Sequence, residues 1–189
     1  MKKIIDTYLE NSKNAIDVLS KSKNKDIALA AKTIVRAFKN SNKILICGNG
    51  GSASDSQHFA AELIGRFKKD RKSFPAISLN TDTSAITAIA NDYKYEKVFS
   101  RQIEGIGNKG DILFAISTSG KSKNIVNAAI EAKRRGLKVI GLTGLKHSKL
   151  EKNSDICIKV PNKETSHIQE LHITVIHIIC TIIEHEVIK

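Results

Sequence analysis

Apolar residues recur at helical spacing through the first forty positions, which hold neither Gly nor Pro: Ile5, Leu9, Ile16 and Leu19, then Ile27, Ala30, Ile34 and Phe38. This predicts two amphipathic helices joined near Ser22 to Lys25. Beyond them the pattern changes to short apolar runs: Lys43 to Cys47, Ala76 to Leu79, Ile112 to Ile116, Val139 to Leu142 and Ile156 to Val160. Helical stretches separate the runs, notably Ser52 to Phe67 and Ser122 to Arg135, and Ser166 to Ile188 reads as one long helix. Strands alternating with helices call for right-handed crossovers and a parallel sheet covered on both faces. The expected fold is a three-layer α/β sandwich around a five-stranded parallel sheet. Residues 1–189 read as one domain, with residues 1–40 as an N-terminal helical extension. The only prolines, Pro75 and Pro161, sit beside strand-like runs.

Composition narrows the function classes. The 189 residues hold 31 Lys plus Arg against 19 Asp plus Glu, a net charge of +12. That balance suits an acidic partner: a nucleic acid, an anionic membrane or a phosphorylated metabolite. Aromatics make up 5% with no Trp, which argues against a base-stacking single-strand binder. The basic clusters Lys68-Lys69 with Arg71-Lys72, and Lys133-Arg134-Arg135, read as solvated faces. Cys47, Cys157 and Cys180 each lie in apolar surroundings and never at CxxC spacing, so reduced, buried thiols are expected. The N-terminus meets a charge too early for a signal peptide. His177 interrupts the most apolar stretch, Val175 to Ile183, which is too short to span a bilayer. A cytoplasmic protein without a membrane or nucleic-acid partner is expected.

Two strand-to-helix turns carry candidate chemistry: Gly48-Asn49-Gly50-Gly51-Ser52-Ala53-Ser54 and Ser117-Thr118-Ser119-Gly120-Lys121-Ser122. In a parallel sheet such turns lie at the carboxyl ends of strands, where ligands bind. Glycines admit a ligand close to the backbone, and the following helix N-terminus favours an anion. Hydroxyls at Ser117, Thr118, Ser119 and Ser122 add donors for phosphate oxygens. Ser and Gly also serve as ordinary caps and turns. Gly48, Gly50 and Ala53, with Asp82 on a ribose, fit a weak dinucleotide fingerprint that leaves the hydroxyl-rich turn unexplained. Neither turn has the spacing of a P-loop.

His58 and Glu62, four residues apart, share one helix face and can chelate a divalent metal; the same spacing serves a plain surface pair. The last helix carries Gln169, Glu170, His172 and His177 in an apolar run. A lone His such as His177, between Ile176 and Ile178, is ordinarily a hydrogen-bonded core residue.

In order along the chain stand Gly48-Asn49-Gly50-Gly51-Ser52, His58-Phe59-Ala60-Ala61-Glu62-Leu63, Ala90-Asn91-Asp92, Ile116-Ser117-Thr118-Ser119-Gly120-Lys121-Ser122 and Ile168-Gln169-Glu170-Leu171-His172 with His177. With these motifs the chain closely resembles, over essentially its whole length, the bacterial phosphoheptose isomerases of the sugar-isomerase (SIS) domain family. The resemblance implies a flavodoxin-like SIS domain that converts sedoheptulose 7-phosphate to D-glycero-D-manno-heptose 7-phosphate through an enediol. That step opens the synthesis of a nucleotide-activated heptose for lipopolysaccharide or capsule.

By matching position, Asn49, Gly50, Gly51, Ser52, Asn91 and Asp92 would line the sugar site, and Ser117, Thr118, Ser119 and Ser122 would hold the phosphate. Glu62 and His177 would be the acid–base pair, with Glu62 and Gln169 also touching substrate. His58, Glu62, Gln169 and His177 would match zinc ligands. The resemblance further implies a homo-oligomer, a tetramer, with sites at its interfaces. His167 departs from the pattern, standing where many relatives have Arg. The rival readings are a non-catalytic SIS protein, such as the replication-initiator-associating relatives, and a sugar-phosphate-sensing regulator. Retention of both Glu62 and His177 favours the enzyme. Gln169 and His177 are eight residues apart, about 12 Å of helix rise. Either the helix is distorted there or residues from different chains meet; the resemblance points to sites at subunit interfaces, so Glu62 and His177 are expected to meet across a subunit boundary.

Overall fold

The computed structural model describes residues 1–22 and 24–187. Two helices, α1 (Lys2–Ser22) and α2 (Asn24–Lys39), precede β1 (Ile44–Cys47), α3 (Gly51–Ile64) and β2 (Ala76–Ser78). There follow α4 (Thr83–Tyr93), a single 3-10 turn, α5 (Val98–Ile106), β3 (Ile112–Ser117), α6 (Lys123–Arg134), β4 (Lys138–Thr143), α7 (Lys149–Lys152), β5 (Ile156–Lys159) and α8 (Thr165–Val187). The expected helix junction includes Lys23, and the expected end of the last helix includes Ile188; both lie outside the described residues.

All five strands are parallel, in the order β2-β1-β3-β4-β5. Alternation along each strand divides the core into two layers. Ile44, Ile46, Ile112, Phe114, Ile116, Ile140 and Leu142 face a layer built with α2, α3 and α8. Leu45, Cys47, Leu113, Ala115 and Val139 face the other, built with α5 and α6. Among the helices, α8 is long and apolar enough to cross a membrane by length and composition, yet half of that window is buried inside the body of the protein. Its apolar run therefore fills the core, against α2 and α3.

The helix α1 is only partly used by this core. Ala15 and Leu19 are buried, whereas Ile4, Ile5, Leu9, Ile16 and Val18 are exposed. Of the periodic stripe Ile5, Leu9, Ile16 and Leu19, only Leu19 is buried in this chain. The thiols are free; Cys47 and Cys180 are buried as expected, but Cys157 is only half-buried, because β5 forms an edge of the sheet.

His172, on α8, is wholly buried, and neither ring nitrogen makes a hydrogen bond. Burial pushes its pKa from 6.5 down to about 4. The unfolded chain therefore takes up this proton at a higher pH than the folded one, and stability falls as pH drops from 6.5 to about 4. Urea unfolding of wild type and His172→Leu across this window is expected to show the acid loss reduced by on the order of 3 kcal/mol in the variant.

Candidate active site

The strand order reverses between β1 and β3, which pair directly, with Cys47 opposite Ala115. The two glycine-containing turns therefore emerge side by side at a topological switch point. They are tied together by side chains. The Asn49 amide donates to Asn124 Oδ1 at 2.9 Å, and the Asn124 amide returns a bond to Asn49 Oδ1 at 2.8 Å. Tyr95 Oη donates to the same Asn49 oxygen at 3.2 Å.

In the second turn Gly120 has φ 61°, a conformation that favours glycine, and a Cβ there would strike Ser148. Its N–H donates to Ser117 Oγ at 3.1 Å, and the Lys121 N–H donates to Ser119 Oγ at 3.2 Å. Ser117 and Ser122 hydroxyls stand 3.4 Å apart. Neither Gly50 nor Ser122 caps the helix that follows with its side chain; the Ser52 and Ala53 N–H groups donate to the Asn49 and Gly50 carbonyls, and the Ile125 N–H donates to Asn124 Oδ1 at 3.0 Å. Thr118, Ser119 and Lys121 line a cleft of about 180 Å³ together with Lys146, Asn162 and Lys163. Its hydroxyls and ammonium groups suit a phosphate.

A second group of functional side chains lies along α3 and α8, which run side by side in the same direction. Gln169 packs its amide on Gly51 at the start of α3. Farther along, His58, Glu62 and His177 present ligand atoms within 4.8 Å of one another. His58 Nε2 is 2.9 Å from Glu62 Oε1, and the His58 and His177 rings are 5.1 Å apart, edge to face. Two imidazoles and a carboxylate form a donor set that fits a divalent cation such as zinc. The expectation that Glu62 and His177 meet across a subunit boundary is overturned, because both come from one chain. The reason is the packing of α3 on α8: α8 is helical throughout, so the rise between Gln169 and His177 is real, and α3 spans it alongside.

The other candidate residues have different settings. Asn91 and Asp92 are exposed at the end of α4, the Asn91 amide donating to Asp92 Oδ1 at 2.9 Å. Asp82 caps α4 by accepting from the Ala85 N–H. His167 turns toward α1 and is buried there, its Nδ1 3.2 Å from Ser12 Oγ and its ring 4.5 Å from Tyr8. Glu170 joins this contact by accepting from Tyr8 Oη at 2.6 Å and Ser12 Oγ at 2.9 Å.

Asp55, Phe67, Arg71 and Glu184 carry no sequence signal of their own, yet they border the His58 group. Asp55 Oδ2 is buried without a hydrogen bond, and burial lifts its pKa to about 6, against the pull of nearby His58. The Phe67 ring lies 5.4 Å from that of His177. Arg71 belongs to a cluster expected to be solvated, but its side chain is only 5% exposed, paired with Glu184 at 3.3 Å. The guanidinium also donates to the carbonyls of Glu62 at 2.6 Å and Leu63 at 2.8 Å, closing the end of α3. These backbone acceptors, contributed by the fold, are what draw Arg71 inward.

The SIS domain family matches residues 7–144, which include both turns and α3. The phosphoheptose isomerase of Aliarcobacter butzleri is 49% identical across 97% of this chain and 96% of its own length. Among solved structures, the phosphoheptose isomerase of Neisseria gonorrhoeae superimposes with a TM-score of 0.93 at 40% identity, covering 97% of this chain and 98% of that one. The phosphoheptose isomerase from Francisella tularensis does so with a TM-score of 0.94 at 38% identity, over 97% of each chain.

Because the atoms nearest to a Cβ at position 51 belong to the flexible end of Gln169, Gly51→Ala is expected to displace that amide without unfolding the protein. Its stability should change by less than about 1 kcal/mol, below the usual range for overpacking a rigid core. The Gln169 side-chain amide resonances should shift.

Proposed function

This chain belongs to the phosphoheptose isomerases of the SIS domain family, and from that premise we propose that it converts sedoheptulose 7-phosphate to D-glycero-D-manno-heptose 7-phosphate through an enediol. The observation that carries this reading is the joining of Glu62 to His177 and His58 within 4.8 Å, in a chain whose β1 and β3 turns offer a phosphate site.

The isomerisation moves a proton between adjacent carbons and another between their oxygens. Glu62 is the base at carbon: its Oε1 is engaged by His58, and Oε2 has no partner among the described residues. His177 gives and takes the oxygen-side proton, a role suited to imidazole near neutral pH. Ser117, Thr118, Ser119 and Ser122 anchor the phosphate, so that binding energy remote from the reacting carbons orients them. Asn49, Gly50, Gly51, Ser52, Asn91, Asp92 and Gln169 line the sugar path. The reciprocal amide bonds of Asn49 and Asn124 also give Asn49 a structural share in holding the turns together.

His58, Glu62 and His177 would hold zinc, which when bound supplies a Lewis acid for the carbonyl oxygen; Gln169, the expected fourth ligand, packs on Gly51 instead, about 12 Å of helix rise from His177. The exposed stripe Ile4, Ile5, Leu9, Ile16 and Val18 supports a homo-oligomer, a tetramer, in which α1 of a second copy covers it. We assign the enzyme to the cytoplasm and its product to a lipopolysaccharide or capsule precursor. Residues 1–189 act as one SIS domain, with residues 1–40 as its helical extension.

Glu62→Gln is expected to lower turnover of sedoheptulose 7-phosphate by on the order of 10²- to 10⁴-fold, the span typical of a lost acid–base group. Mixing it with inactive His177→Ala under conditions of subunit exchange should restore no activity, because each complete site needs both residues from one chain. Aldose formation by the mixture would overturn that assignment.

Protein purified without chelator is expected to contain zinc. His58→Ala should hold at least about tenfold less, since even outer-shell changes weaken metal sites by that factor. Equal zinc contents by elemental analysis would remove His58 from the metal site.

A further inference from the structure

Seven residues beyond His177 on α8 stands Glu184, a carboxylate 3% exposed and distant in sequence from everything it binds. It accepts three consecutive backbone N–H groups: Phe67 at 3.1 Å, Lys68 at 3.0 Å and Lys69 at 3.2 Å. Burial alone would raise its pKa, but these donors together with Arg71 hold it below the usual carboxylate range. The carboxylate thus stays charged in the core. It ties the segment leaving α3 to the same helix that carries His177.

This attachment has two geometric consequences at the candidate site. It seats the Phe67 ring beside the His177 ring, on which His58 also packs edge to face. Through Arg71, which donates to the Glu62 carbonyl, it also holds the backbone of Glu62 itself. A buried, unpaired or mispaired charge is costly, so the carboxylate and its donors adopt one arrangement rather than several. Side chains that place reacting groups have to be held in this way by a supporting layer.

Resting on the isomerase reading above, we propose that Glu184 is a positioning residue for the reaction: by clamping residues 67–69 it holds Phe67 against His177 and so orients the imidazole toward His58 and Glu62. It touches no substrate. The proposed phosphate anchors lie on other elements, at the end of β3 and in the turn that follows it, so losing the clamp acts on turnover and leaves affinity largely alone. Glu184→Gln retains the shape of the side chain but presents an N–H₂ group where the segment offers only donors.

The test uses the full-length protein as purified, with Glu184→Gln, Phe67→Ala and the double variant. Glu184→Gln is expected to lower kcat for sedoheptulose 7-phosphate by about tenfold or more, equivalent to about 1.4 kcal/mol of barrier, with KM changed less than about twofold. Phe67→Ala should act likewise, and the double variant should be no slower than the slower single one, since both act through one contact. The His177 ring-proton resonances should move in both single variants as the Phe67 ring leaves. If Glu184→Gln does not fold, Glu184→Asp, which keeps the charge but shortens its reach, undergoes the same measurements. A folded Glu184 variant with wild-type kcat and unmoved His177 resonances overturns the proposal, and so do multiplicative losses in the double variant. An inactive wild type would instead overturn the isomerase reading, with the His177 resonances still deciding whether Glu184 positions the ring.

Discussion

The apolar side of α8, including Ile168, Leu171, Val175, Ile176, Ile179 and Ile183, is buried against the sheet layer that also holds α3. Removal of these side chains from water is the dominant force placing the helix. Because α8 is locked there along its length, its polar residues are distributed against α3 and its exit segment. Gln169 meets Gly51, His177 meets His58, and Glu184 meets the backbone of residues 67–69. The reactive group is thus a by-product of a hydrophobic contact, carried on two rigid helices rather than on loops.

The β1 and β3 turns use a different device. Their side-by-side exit follows from strand order, and their shape is maintained by polar contacts: the Asn49–Asn124 exchange, the Ser117 hydroxyl under Gly120, and the positive φ at Gly120. The N-cap residues of the helices that follow, Gly50 and Ser122, make no side-chain cap. A helix end without a side-chain cap forgoes some stability and gains an anion site, a trade that suits an enzyme of phosphorylated sugars.

The outer face of α1 is the part of this chain that its own core leaves unsatisfied. Ala15 and Leu19 dock, and the Tyr8, Ser12, Glu170 and His167 contacts fasten the helix to the start of α8. The remaining apolar positions project away. His167 is absorbed in this fastening and works at the α1–α8 contact rather than among the ligand atoms near His177.

Local pattern determined the strands, the two turns, the paired N-terminal helices and the i, i+4 pairing of His58 with Glu62, because each depends on neighbours within a few residues. Resemblance of ordered motifs added His177 and Gln169 to that list. Only the tertiary structure decided that Glu62 and His177 share one chain, since helix rise separates Gln169 from His177 but says nothing of a second helix lying parallel to both. Arg71 and Glu184 were equally unreadable: a lysine-rich stretch looks solvated until buried carbonyls and a carboxylate, 113 positions farther on, give its one arginine a place inside. Their roles depend on contacts made by burial across the whole chain, and such contacts leave no period or spacing in the sequence.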